Sequence, residues 1–279
     1  MNDKVTFSEK DKLTERQIRE IKYYEEYVSL LNVADVSFDP INSLKSRPWN
    51  SYWYVYQLAK KYFNNDKNKL LDYGCGYGIS SVRFAKIGYE VTGFDISEKS
   101  IEIAKKLAKK YCVEDKINFS IQIAEKLNYP PNYFDIAIGF DILHHVDIKS
   151  AILECYRVLK KEGIAIFREP VEVPILDYLR NTKLIKYLVP KDTNFTPGRH
   201  ITQDEKKLLE KDIDLIRNAF DEIKIEKFTL ISHLDLFFRK FYGEKSSPLE
   251  ILDHIIFRII PISRKFGGDC VFVLKKKLD

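Results

Sequence analysis

The chain has 279 residues, 45% of them hydrophobic; that is long for one domain of ~150 residues and short for two, so one core fold with additions is expected. The formal charge of +5, from 46 basic and 41 acidic residues, is too small a surplus to mark a nucleic-acid binder, which concentrates basic residues on one face. Cys75, Cys112, Cys155 and Cys270 are scattered, without C-x-x-C pairs or a histidine at ligand spacing, which argues against zinc and a disulfide framework and for a reduced, cytoplasmic protein. The stretch Asp3 to Glu26 is charged and lacks the apolar centre of an export signal, and no run approaches the ~20 apolar residues of a membrane span.

Residues 1–68 read as a helical cap preceding a core of 69–279. Thr14-Glu15-Arg16-Gln17 is a capping box, and Ile18, Ile21, Tyr24, Val28 and Leu31 recur at helical spacing. A looser link from Val36 to Pro48 leads to Trp49-Asn50-Ser51-Tyr52-Trp53-Tyr54-Val55-Tyr56, where Asn50 or Ser51 caps a second helix. So many aromatics fit either a lid over a ligand or a helix face packed on the core.

From 69 to 170, short apolar runs alternate with helical ones, the pattern of βαβ units around a parallel sheet. Strands are expected at 69–73, 89–94, 117–122, 133–139 and 162–168, with helices near 78–87, 97–111 and 148–160. Ser97 caps the second of these helices, whose outer lysines Lys105, Lys106, Lys109 and Lys110 read as solvated charge. Right-handed crossovers bring every strand's C-terminal end to one edge, where open α/β sheets bind ligands. Asp72, Asp95, the 123–125 turn, Phe140 and Glu169 all fall there. Leu70 to Gly78 reads as a strand, a glycine turn and a helix start, an arrangement that lets backbone approach a ligand and aims helix amides at it. A dinucleotide fingerprint would need a third glycine where Ile79 stands.

Asp72-x-Gly74-x-Gly76-x-Gly78 and Gly93-Phe94-Asp95-Ile96-Ser97 resemble the first two motifs of the class I S-adenosylmethionine-dependent methyltransferases. Ile123 to Asp135 resembles that family's D-A-x-x-L-P-F-x-x-x-x-F-D segment, departing at Ile123, where an aspartate for the adenine amino group is common. Gly139 to Val146 resembles the segment ending L-H-H. Arg157 to Gly163, with Glu169-Pro170, resembles the R-V-L-K-P-G-G…E-P block of the UbiE-like branch. The resemblance spans about 68–170. It implies a Rossmann-like seven-stranded mixed sheet of order 3-2-1-4-5-7-6 with the last strand antiparallel, and methyl transfer to a small-molecule acceptor. It also implies an S-adenosylmethionine site drawn from Asp72, Gly74, Cys75, Gly76, Asp95, Ile96, Ala124, Glu125 and Phe140. Gly74 to Gly76 would lie under the methionine part and Asp95 would hold the ribose. The adenine contact falls to the Ala124 amide, to Glu125, or is absent.

His144 and His145 are adjacent, and neighbours on a helix point about 100° apart, so joint metal ligation is disfavoured. Either could take a proton from a hydroxyl acceptor, or serve structure through a ring hydrogen bond. His144 and Glu169 are the candidate catalytic residues. An oxidoreductase is disfavoured by Ile79, and exocyclic-amine methylation of nucleic acid by the lack of a D/N-P-P-Y/F motif at Gly139-Phe140-Asp141-Ile142. A non-catalytic interaction module on the same fold is the third alternative.

The last hundred residues are less regular. Helices are expected at Pro174 to Val189 and Asp204 to Phe220, joined by a polar loop at 190–202, as helical additions within 171–220. Strands six and seven are expected at Glu222 to Leu230 and Asp269 to Leu274. Between them, 233–267 is an apolar and basic helical insert where the family normally has a hairpin. It could pack on the domain or on a second copy, wall a pocket for a long apolar substrate, or touch a membrane surface shallowly. Oligomeric state is left open.

Overall fold

A computed structural model of the protein describes residues 13–37, 47–174, 177–178, 182, 206–237 and 247–277. The helix expected at 174–189 and the loop at 190–202 lie almost wholly outside the described residues.

Seven strands form one sheet of order β3-β2-β1-β4-β5-β7-β6. They are β1 (Lys69–Tyr73), β2 (Glu90–Asp95), β3 (Ile117–Ile121), β4 (Phe134–Phe140), β5 (Leu159–Pro170), β6 (Glu222–Phe228) and β7 (Asp269–Lys275). The first five pair in parallel, Asp72 lying beside Gly93 on one side and Ile138 on the other. β7 runs antiparallel between β5 and β6.

Side chains alternate across the sheet and so build two cores. Leu71 and Tyr73 join Phe94, Phe134, Phe167 and Phe272 on one face, under α5 (Ile148–Val158) and α6 (Glu210–Ala219). Leu70 joins Ile138, Ile166 and Val271 on the other, under α2 (Ser51–Tyr62), α3 (Ile79–Ile87) and α4 (Glu98–Lys110).

The helix starts follow from their caps. Thr14 and Gln17 close a capping box on α1 (Glu15–Ser29), Asn50 Oδ1 accepts the Trp53 amide at 3.1 Å, and Ser97 Oγ accepts that of Ser100 at 3.1 Å. In α4, Ile101, Ala104, Leu107 and Ala108 are buried while the four lysines are exposed. Lys110 is more than solvated charge: its ammonium donates to the carbonyls of Val33, Ala34 and Val36 and ties the N-terminal link to the core.

Three places differ from expectation. The helix expected from Asp204 begins at Glu210, Leu208 instead forming a parallel bridge with Val171. α5 stops at Val158 because Leu159 already pairs with Phe134, making β5 longer than 162–168. The insert before β7 is a 3₁₀ turn (Ile231–Phe237), α7 (Pro248–Ile259) and a second 3₁₀ turn (Pro261–Phe266). No helix among the described residues is long and apolar enough to cross a membrane.

Candidate cofactor and acceptor site

β1 ends in the turn Gly74–Gly78, whose three glycines all take positive φ. A Cβ on Gly74 would lie 2.7 Å from the Ile142 side chain, so only glycine fits there. At Gly76 the reason is different: φ is +51° and nothing lies within 4 Å of where a Cβ would stand, so the backbone faces open space. The turn is fixed to β2 by the Cys75 amide, which donates to the Phe94 carbonyl at 2.8 Å. Asp95, the last residue of β2, accepts the Gly76 amide at 3.0 Å on one carboxylate oxygen and the Ser97 amide at 2.9 Å on the other. Burial raises the Asp95 pKa, and these two amides oppose the rise. Each oxygen keeps a second lone pair for a ligand donor.

Above this turn lies a cavity of about 360 Å³, within the range of small-ligand sites. Its roof is α1. Gln17 Nε2 donates to Glu125 Oε2 at 3.2 Å, Tyr24 Oη lies 3.2 Å from His145 Nε2, and Glu20 Oε2 lies 3.1 Å from His145 Nδ1. Arg16 reaches past the rim to the carbonyls of His144 and Val146, at 2.8 and 3.3 Å. These contacts, all to loops that follow β3 and β4, hold the helix down over the opening.

The far wall carries a buried charge cluster. Asp141 has φ +52°, a rare conformation for a non-glycine residue. Its carboxylate accepts Tyr52 Oη at 2.6 Å and pairs with Arg168, which also pairs with Asp269 at 2.7 Å and stacks on the Tyr52 ring at 4.5 Å. Burial alone would raise the Asp141 pKa, but the Arg168 guanidinium, His144 and the Tyr52 hydroxyl together outweigh it and the carboxyl is held below its usual value. Burial pushes the Tyr52 phenol well up, so it stays protonated and donates.

Of the residues the sequence singles out, Gly74, Cys75, Gly76, Asp95, Ile96, Ala124, Glu125 and Phe140 line the cavity. Asp72 does not. It is buried and accepts the Ser81 hydroxyl at 2.5 Å, which ties β1 to α3. His144 and Glu169 do not line it either. Glu169 accepts the amides of Ile142 and Leu143 at 2.9 and 2.8 Å on one oxygen and bonds His144 Nδ1 at 2.7 Å with the other. This buried pair shapes the turn after β4 that presents Asp141 and His145. Of the two histidines, it is His145 that lines the cavity.

Sequence reasoning passed over Ser100, Gln122, Asp141 and Glu20, all in the lining. Ser100 Oγ is buried with no partner among the described residues, a donor waiting for an acceptor. The aromatic run of α2 divides between cavity and core. Tyr52 and Tyr56, four apart on one face, line the cavity, while Trp53 and Val55 are buried in or beside the core.

The strand order, the glycine turn closing β1 and the carboxylate closing β2 define a Rossmann-like class I methyltransferase fold. Residues 71–167, about a third of the chain, match the family model described as a methyltransferase domain. Over 162 residues, 56% of this chain and 64% of the relative, it is 32% identical to the demethylmenaquinone methyltransferase of Chlorobaculum parvum. Over 97 residues, 34% of this chain and 39% of the relative, it is 41% identical to the ubiquinone biosynthesis O-methyltransferase of Pelagibacter ubique. The chain thus spans under two thirds of the length of either relative. The crystal structure of the [4+2]-cyclase SpnF superposes with a TM-score of 0.60 at 23% identity, covering 95% of this chain and 97% of that one. At that identity the likeness is one of fold.

Proposed function

We propose that the protein transfers a methyl group from S-adenosylmethionine to a small, apolar acceptor. The observation that carries this reading is Asp95, which lines the cavity with its carboxylate locked to the Gly76 amide. That is where a ribose diol can be gripped while the bare backbone at Gly76 leaves room beside it. Two further features fit the cofactor: the unpartnered Ser100 hydroxyl, and Ile96 and Ala124, which offer apolar surface to a base. When bound, the sulfonium supplies an electrophilic methyl and departs as a neutral thioether.

The protein's own part is to orient the acceptor and exclude water, with proximity worth several kcal/mol. Tyr24, Tyr52 and Phe140 give the acceptor side flat apolar walls, and two relatives bear names from quinone biosynthesis, which supports an aromatic acceptor. For a hydroxyl acceptor we assign the proton-accepting role to His145, in place of His144 and Glu169. Its Nδ1 side faces the Glu20 carboxylate at 3.1 Å, and its Nε2 side faces Tyr24 at 3.2 Å.

Isothermal titration with S-adenosylhomocysteine and with a nicotinamide dinucleotide tests the reading. Binding of the first alone is expected. Asp95→Ala is expected to weaken it by roughly 10- to 100-fold, the loss of charge-assisted hydrogen bonds; unchanged affinity would place the ligand elsewhere.

A further inference from the structure

The exposed apolar surface of the described residues is concentrated in one place. Of their fourteen large exposed hydrophobic side chains, seven lie between 251 and 266. Ile251, Ile255 and Ile259 recur at every fourth position of α7 and therefore share a face, and they are 40%, 45% and 73% exposed. Ile262 and Phe266 continue it into the following 3₁₀ turn. The opposite side of α7 holds the helix to the domain: Phe257 and Asp253 are buried, and Asp253 accepts the amides of Leu230, Ile231 and Ser232.

Charge around this face has one sign. Arg258 and Lys265 are exposed, while Arg264 is partly covered and pairs with Glu226 at 3.0 Å. The two acids of α7 are both turned away. Asp253 is engaged as above, and Glu250 accepts Asn50 Nδ2 at 3.1 Å and the Ser247 amide at 2.9 Å. From 248 to 266, then, no carboxylate is exposed.

We propose that this face docks on an anionic phospholipid bilayer, its isoleucines entering the headgroup boundary while Arg258 and Lys265 meet the phosphates. A second copy of the chain is the poorer occupant. A twofold contact sets each surface against itself, bringing Arg258 and Lys265 near their own counterparts with no carboxylate between. The inference rests on the surface of α7 and is independent of the methyl-transfer reading. The hydrogen bond from Asn50 to Glu250 nonetheless links α7 to the N-terminus of α2, the helix that supplies Tyr52 and Tyr56 to the cavity.

Flotation of the full chain with vesicles of phosphatidylglycerol and phosphatidylcholine, against phosphatidylcholine alone, tests the proposal. The chain is expected to float with the anionic vesicles at low ionic strength and to be released by salt. Ile255→Asp with Ile259→Asp, and separately Arg258→Ser with Lys265→Ser, are each expected to lower the bound fraction about tenfold, with unchanged circular dichroism. No flotation of the unaltered chain with anionic vesicles at low salt would overturn the proposal, as would equal flotation of the folded aspartate variant. A dimer in light scattering that the aspartate pair abolishes, without vesicle binding, would assign the face to a second copy.

Discussion

Asp72 and Asp95 close adjacent parallel strands, and the chain uses them in opposite ways. Asp95 turns to the cavity, where the Gly76 and Ser97 amides fix it. Asp72 turns back, because Ser81 in the first turn of α3 offers it a hydroxyl. That partner lies beyond the motif, and for this reason the motif alone could not show which way the carboxylate points. Burial raises the Asp72 pKa from 3.8 to about 7, against the hydrogen bond from Ser81. A carboxyl whose folded pKa exceeds its unfolded one binds its proton more tightly when folded. Its contribution to stability is therefore fully present below about pH 4 and is lost as pH rises toward 7. Urea unfolding across that window should show stability falling with pH, and Asp72→Asn, which cannot ionise, should remove that part of the slope.

The paired histidines divide in the same manner. Glu169→Ala strands His144 and two backbone amides in a buried site, and is expected to lower unfolding free energy by about 3 kcal/mol or more in chemical denaturation. His145→Gln keeps a polar side chain beside Glu20 and Tyr24 and is expected to cost less stability than Glu169→Ala. It should reduce kcat for a hydroxyl acceptor by about 100-fold with little change in cofactor affinity, if His145 is the proton acceptor. Adjacent positions in a sequence carry no sign of which ring a 3₁₀ turn will present, so this division was beyond sequence reasoning.

Elements with a single burial environment were legible. The strands of the parallel sheet are short apolar runs, and their caps and turns are spelled out by Thr14, Asn50, Ser97 and the glycines. Leu159 and Lys160 misled because leucine and lysine suit a helix, whereas pairing of Leu159 with Phe134 makes them strand. The placement of α1 was less legible, since its apolar face predicts only that it packs somewhere. It packs over the cavity, held by Arg16, Gln17, Glu20 and Tyr24. Hydrogen exchange should show the amides of 15–29 slowed by S-adenosylhomocysteine. Arg16→Ala, which removes two of the tethers, should speed their exchange in the free protein by roughly three- to tenfold. No change in α1 exchange on ligand addition would mean that the ligand does not sit beneath the helix.

At the scale of the molecule, the order 3-2-1-4-5-7-6 follows from right-handed crossovers plus a reversed last strand. That order brings the ends of β1, β2, β3 and β4 to one edge, so residues far apart in the chain line one cavity. The topology thus explains why residues picked out in the sequence line one cavity, while the tyrosines, Ser100 and Gln122 that join them there depend on packing. The most direct test is a crystal structure of the full chain with S-adenosylhomocysteine. The account predicts the ribose diol on the Asp95 carboxylate and the nucleoside lying along Gly74 to Gly78 beneath α1. A ligand bound elsewhere, or a filled cavity with Asp95 out of contact, would contradict it.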